Sequence, residues 1–366
     1  MATSSASTRA PAAGPWVDID RAALCANYRL ARASAPGAEI AAVVKCDGYG
    51  LGAAEIARAT AAREGCRAFF VAYAHEGRAL RAALADRGRA AAIYVFNGPE
   101  PDALGLFRDA DLTPVLNGAR QAALWAGAFP GAPAALHVDT GMNRLGAPMD
   151  EVAAVAALEG LRIDLVMSHL ACSSTPSSPK NAAQRDLFVD VAGRFPDARR
   201  SLAASGGALM DGRYHFDLVR LGVALYGASP FDEDEPRLAP AAALKAPIIQ
   251  LRRLQAGDTV GYGGTFAAAR PTLIATAALG YGDGLPRLAS NRAAARVNGQ
   301  RAAIVGRVSM DLVTLDVTDL DAPPRIGDTA MFFGPGLPIH DLATACETIS
   351  YELLTGLGGR VDRRYL

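Results

Sequence analysis

Between residue 40 and residue 230 one pattern recurs: a short β-branched or apolar run, then a stretch rich in Ala, Leu and Arg with helical period. The runs predict strands over 40–45, 68–73, 91–97, 112–116, 135–139, 163–169, 201–205 and 218–226. Helices are expected between them over 53–63, 75–85, 118–127, 150–158 and 181–194. Strand–helix alternation implies parallel pairing with right-handed crossovers, and eight units over about 200 residues match a (β/α)8, TIM-like barrel. An open doubly wound sheet is the alternative, but no G-x-G-x-x-G follows the first strand. The barrel is the better reading.

After Ser229 helical periodicity fades, beginning with the acidic run FDEDEP at residues 231–236, read as a solvated linker. Short strands are expected over 246–254, 271–277, 301–308 and 312–317, with Gly257-Asp258 and Gly327-Asp328 as turns. The predicted fold is therefore α/β: a disordered tail over 1–14, a barrel over 15–230, and a mostly β domain over 231–366.

Composition narrows the function. Lys+Arg and Asp+Glu both number 37, so there is no net basic charge to track nucleic acid or anionic lipid. Only three basic residues are lysines: Lys45, Lys180 and Lys245. In a chain this biased towards arginine, a retained lysine marks a position where an arginine does not serve. The five cysteines have no C-x-x-C spacing and no zinc-site partners, so no metal is expected. They read as reduced thiols, and with no signal peptide or apolar run of membrane-spanning length the expected location is the cytoplasm.

In a barrel of this kind catalytic side chains come from the C-terminal ends of strands. Lys45 closes the first predicted strand, His169 the sixth, Ser205 the seventh, and Arg220 lies in the eighth. A lysine closing a buried strand is either a snorkelling charge or an amine whose pKa is lowered for Schiff-base chemistry. Small residues and a hydroxyl after the last strands fit a phosphate site. A lysine and a phosphate cradle on one rim suggest pyridoxal 5′-phosphate.

Seven motifs then occur in order: AVVKCDGYG, DTGMNRLG, VRLGVALYG, VGYGGTF, GYGDGLPR, GRVSMD and ISYELL. From Trp16 onward the chain closely resembles the alanine racemase family. The resemblance implies two-base racemisation of L- and D-alanine with pyridoxal 5′-phosphate, either supplying D-alanine for cell-wall peptidoglycan or interconverting it catabolically. It makes Lys45 the Schiff-base lysine and one catalytic base, and Tyr262 the second base, presented by the partner subunit of a homodimer. Tyr49, Ser205 and Tyr351, with the backbone at Gly222 and Val223, resemble the phosphate cradle. His169 is similar to the histidine beside the pyridine ring, and Arg220 to the arginine facing its nitrogen. Arg144 resembles the residue that meets the substrate carboxylate. Met310 and Tyr281 resemble residues that narrow the pocket from that same partner subunit, and Arg287 and Arg307 resemble entry-corridor arginines.

The chain departs from the family pattern at four places. His137 stands where many members carry a carbamylated lysine, Ser174 where an acid would pair with corridor arginines, Ala204 where Asn is frequent, and Leu51 where His is usual. Two other readings stay open: a broad-specificity amino-acid racemase, and a non-catalytic barrel that stores or delivers the cofactor. Without the family context Tyr262 and Tyr281 read as ordinary β-domain aromatics, and Lys180 and Lys245 read as solvated surface lysines.

Overall fold

A computed structural model describes residues 14–85 and 91–366, and the expected disordered tail lies outside them except for Gly14. The chain divides into two units, one running from Arg21 to Ala241 and the other combining the N-terminal segment to Asp20 with Ala242–Leu366.

The N-terminal strand β1 (Trp16–Ile19) belongs to the second unit. The eight strands of the first unit are β2 (Glu39–Val43), β3 (Ala68–Val71), β4 (Ala92–Val95), β5 (Thr113–Leu116), β6 (Pro133–His137), β7 (Arg162–Met167), β8 (Arg199–Ser201) and β9 (Leu218–Leu221). They pair in parallel in the order β8-β7-β6-β5-β4-β3-β2-β9. The seam between β8 and β9 closes through Asp217 N–H to Arg200 O and Arg220 N–H to Ala203 O, each 3.0 Å, which makes the sheet a barrel. Strands buried on both faces carry continuous apolar runs rather than alternation. Residues 40–44 and 68–71 accordingly lie in the core throughout.

The second unit is a sheet built on one long strand, β10 (Ala242–Leu254). It continues through β11 (Thr259–Val260), β12 (Phe266–Ala267), β13 (Thr272–Ala277), β14 (Ala294–Val297), β15 (Gln300–Ile304), β16 (Val313–Asp316), β17 (Thr329–Phe333) and β18 (Asp362–Tyr365). The first half of β10 pairs with β17 and β1, and the second half with β13. The change of partner falls at Pro247, which has no N–H to donate, and at a register shift between Ile248 and Gln250. Strands β10, β13, β16, β15, β14 and β17 pair in a ring.

Three expectations need correction. Residues 15–20 were expected in the barrel, but β1 runs antiparallel to β10 and parallel to β18, so its backbone groups are satisfied in the β unit. The boundary expected at 230/231 falls at 241/242. Asn27 explains the shift: its side-chain amide donates to Leu225 O (3.2 Å) and Ala239 O (2.9 Å) and its oxygen accepts from Ala239 N–H (2.8 Å), fastening the segment after FDEDEP to the barrel unit. Lys245, expected in solvent, is half-buried and paired with Asp18 at 2.7 Å, whereas Lys180 is exposed. Both Gly-Asp pairs lie in turns as expected, closed by Asp258 N–H to Gln255 O and Asp328 N–H to Arg325 O, each 3.1 Å. In both, the aspartate accepts a hydrogen bond from the N–H three residues earlier, at Gln255 and at Arg325.

Asn27→Ala would leave two buried carbonyls and one N–H without a partner. The expected loss is about 2–4 kcal/mol of barrel-unit stability, read from urea unfolding by Trp125 emission in a Trp16→Phe background. A loss well below about 1 kcal/mol would refute the role given to Asn27.

Candidate active site

Strand β2 ends at Val43, so Lys45 does not close it but opens the turn that follows. That turn is left-handed: Cys46, Asp47, Gly48, Tyr49 and Gly50 all have positive φ, between 50° and 80°. For residues with a Cβ this conformation costs on the order of 1–2 kcal/mol each. The turn is held by Gly48 N–H to Val44 O, Gly50 N–H to Cys46 O and Gly52 N–H to Asp47 O, each at 2.8 Å. The Asp47 carboxylate accepts from Ala53 N–H at the start of the next helix. At Gly48 a Cβ would sit 2.7 Å from Ile56 Cδ1 and 2.9 Å from the Ala53 nitrogen, so this turn needs glycine there.

The phosphate-cradle candidates of the barrel unit, Tyr49, Ser205, Gly222 and Val223, converge. Ser205, expected to end a strand, instead begins a short helical turn, Ser205–Leu209, after β8. Its Oγ accepts from Gly222 N–H at 2.9 Å and Ala224 N–H at 3.2 Å, and Val223 lies between them just past β9. A Cβ on residue 222 would approach the Tyr49 hydroxyl to 2.6 Å, so glycine leaves the space that this hydroxyl uses. The Tyr49 ring packs on Tyr226 at 4.6 Å between centroids, and Tyr226 Oη donates to Val43 O at 2.8 Å. Tyr226, which the sequence reading passed over, thus ties the cradle to the strand before Lys45. It sits inside VRLGVALYG but carries no charge to draw notice.

Arg220 lies within β9, almost wholly buried. Every acceptor it meets is neutral: Ser201 O (2.9 Å) and Oγ (2.6 Å), Ser168 O (2.6 Å), Leu202 O (3.3 Å) and His169 Nδ1 (3.3 Å). Burial alone pulls its guanidinium down to about 9, which leaves it charged at neutral pH. A guanidinium only donates, so His169 Nδ1 must accept, and the neutral ring carries its proton on Nε2. Burial, then the Arg220 and Arg144 charges, hold His169 well below the usual histidine range.

His137 is also neutral, pushed down to about 4 by burial first and by Arg220 second. Its Nδ1 meets Asn117 Oδ1 at 3.0 Å, and the Asn117 amide donates to Phe96 O (2.9 Å) and Val115 O (3.0 Å). The Nδ1–H therefore donates and Nε2 is left as an acceptor. The loop carrying Arg144 is shaped by Asp139, whose carboxylate accepts from Gly141, Met142 and Asn143 N–H at 2.9–3.1 Å. Asp139 was quoted within DTGMNRLG but not singled out; an Asp two residues before a Gly is its local signal. Gln184, fully buried on the helix Pro179–Ala192, donates to Thr140 Oγ1 and His169 O and accepts from Ala171 N–H. No motif marked it. Burial first, and the Arg144 charge second, lower the Lys45 pKa, and the amine lies over the Phe96 ring at 5.7 Å.

The remaining candidates belong to the β unit. Tyr262 opens a short turn after β11 and is 72% exposed. Tyr281 N–H donates to Ser309 O and Gly282 N–H to Met310 O, which brings exposed Tyr281 and exposed Met310 together. Arg287 and Arg307 are exposed, and Arg307 Nη1 would lie 3.2 Å from a Cβ on Gly263, next to Tyr262. Tyr351 sits on the helix Ser350–Thr355, and burial pushes its hydroxyl up to about 12.

Residues 19–230 match the family model for the alanine racemase N-terminal domain, and residues 241–365 match the model for the C-terminal domain. The chain belongs to the alanine racemase family. It is 47% identical over 357 residues to the alanine racemase of Acidiphilium cryptum, covering 95% of this chain and 98% of that one. It is 42% identical to a catabolic alanine racemase of Agrobacterium fabrum, over 95% of this chain and 91% of that one. A crystal structure of Bartonella henselae alanine racemase with covalently bound pyridoxal phosphate superposes with a TM-score of 0.90 at 36% identity, covering 97% of this chain and all of that one. Biosynthetic alanine racemase from Pseudomonas aeruginosa gives 0.87 at 35% identity, over 96% and 99%.

The buried histidines make stability depend on pH. His137 has an ordinary value of 6.5 in the unfolded chain and about 4 when folded, so the unfolded chain binds the proton first on acidification. Its contribution is intact above 6.5 and is lost as pH falls towards 4. His137→Asn should reduce the drop in unfolding free energy between pH 7 and pH 5 by about 2 kcal/mol, measured by urea titration at both pH values. An unchanged drop would mean that His137 titrates in the folded protein as it does in the unfolded chain.

Proposed function

We propose that the protein racemises alanine with pyridoxal 5′-phosphate, using Lys45 on one face of Cα and Tyr262 of the partner subunit on the other. The observation that carries the reading is Arg220: a buried guanidinium with only neutral acceptors, in the same barrel unit as a lysine whose pKa is lowered by burial. The residues fit the group. The Ser205 hydroxyl, the Gly222 and Ala224 amides and the Tyr49 hydroxyl form a cradle that a Cβ at 222 would fill. When bound, the cofactor draws off the electron pair that deprotonation leaves on the substrate's Cα.

The chain's own residues do the rest. Lys45, with its pKa lowered, is unprotonated in a larger fraction at neutral pH than an ordinary lysine and can take a proton from Cα. Arg220 would offer a hydrogen bond to a ring nitrogen of the bound group without surrendering its own proton. His169, with its proton on Nε2, is the donor available to steady a tyrosine phenolate. Arg144 receives the substrate carboxylate, and the partner subunit's Tyr281 and Met310 narrow the space around the substrate methyl. Val223 contributes to the cradle through its backbone.

Tyr262, Tyr281, Met310 and Leu312 are all exposed on the β unit, an apolar surface that supports a head-to-tail homodimer with two sites. The five free cysteines support a reducing, cytoplasmic setting. No helix among the described residues is long and apolar enough to cross a membrane.

Borohydride reduction of the cofactor-loaded protein should fix the label on Lys45, located by peptide mass; label on Lys180 or Lys245 would overturn the assignment. Assays with Ala, Ser, Lys and Arg should show alanine preferred. Tyr262→Phe should slow proton transfer in one direction by about 10²–10⁴-fold more than in the other, followed by deuterium uptake at Cα. Equal loss in both directions would remove the second-base role.

A further inference from the structure

In the left-handed turn after β2 one backbone donor is satisfied by a side chain from another element. Gly48, Gly50 and Gly52 pair with carbonyls inside the turn, but Cys46 N–H, directly after Lys45, donates to Glu76 Oε1 at 2.7 Å. The other carboxylate oxygen accepts from Ala72 N–H at 2.7 Å and Tyr73 N–H at 3.1 Å, just past the end of β3. Glu76 lies in the first turn of the helix Ala74–Ala83, so one side chain caps that helix and also joins the ends of two neighbouring strands. We infer that Glu76 is a positioning residue for Lys45, holding through the Cys46 amide the strained turn that aims the lysine.

Its charge has a second effect. The groups facing the amine are Arg144 from the loop after β6, the neighbouring Cys46, neutral His169 after β7, the Phe96 ring and Glu76. Among the described residues Glu76 is the carboxylate in that set, and it opposes the lowering that burial and Arg144 impose. The clamp therefore also limits how far the Lys45 pKa falls.

The inference rests on Lys45 being the reacting amine, and its test does not depend on which substrate that amine serves. The full-length chain labelled with [¹³Cε]lysine gives three lysine signals, and the one missing in Lys45→Arg is Lys45. Before cofactor is added, Glu76→Gln should lower the titration midpoint of that signal by about one pH unit. Exchange of the Cys46 amide should quicken by about tenfold. An unmoved midpoint together with unchanged Cys46 exchange would reduce Glu76 to a helix cap. If Glu76→Gln does not fold, Glu76→Asp keeps the charge and can still cap Ala72 and Tyr73 but falls short of Cys46. Faster exchange at Cys46 with Ala72 and Tyr73 still protected supports the clamp, and unchanged exchange at Cys46 overturns it. Failure of the borohydride label to reach Lys45 would instead sink the functional reading and leave these two measurements standing.

Discussion

A charged guanidinium in the barrel wall, without a carboxylate, is the constraint on which the site depends. Removing a charge from water costs several kcal/mol unless hydrogen bonds replace the lost solvent. Arg220 finds them in the carbonyls of Ser168, Ser201 and Leu202 and the hydroxyl of Ser201, at the ends of β7 and β8. Its own backbone closes the barrel seam through Ala203. One residue therefore joins three strands, sets which nitrogen of His169 carries the proton, and stands two residues before the Gly222 amide of the cradle. A carboxylate in the same place would satisfy the charge but would alter the acid–base character of the whole rim.

Around that charge the site is kept short of protons by similar means. Lys45, His137 and His169 all sit where burial is the leading cause of a lowered pKa, with arginine charges adding to it. The two histidines are neutral but not equivalent. His169 accepts at Nδ1 from Arg220, whereas His137 donates from Nδ1 to Asn117. Their free Nε2 positions thus offer a donor and an acceptor respectively, a distinction made entirely by the neighbour on the other nitrogen.

Much of the barrel was legible in the chain because strands covered on both faces show as continuous apolar runs, and five helices fall close to where their periodicity placed them. The errors lie at strand ends. Lys45 and Ser205 were read as ending strands, yet each opens the turn beyond, because apolar character continues past the last ladder hydrogen bond. Trp16–Ile19 fell within the 15–230 bounds given to the barrel only by its position along the chain. Its partners, β10 and β18, are more than two hundred residues away.

The sequence by itself determined the chemistry on offer: a lysine where the chain otherwise uses arginine, glycines at Gly48 and Gly222 where a Cβ would collide, and the motifs that place this chain in its family. Those are properties of side-chain identity and local spacing. Only the tertiary structure decided the protonation state of each group and what holds it in place. Glu76 reaching Cys46, Asn117 fixing His137, Tyr226 bracing Tyr49 and Gln184 tying Thr140 to His169 all span separate elements. Burial and electrostatic neighbours arise from chain segments distant in sequence, so no local pattern encodes them.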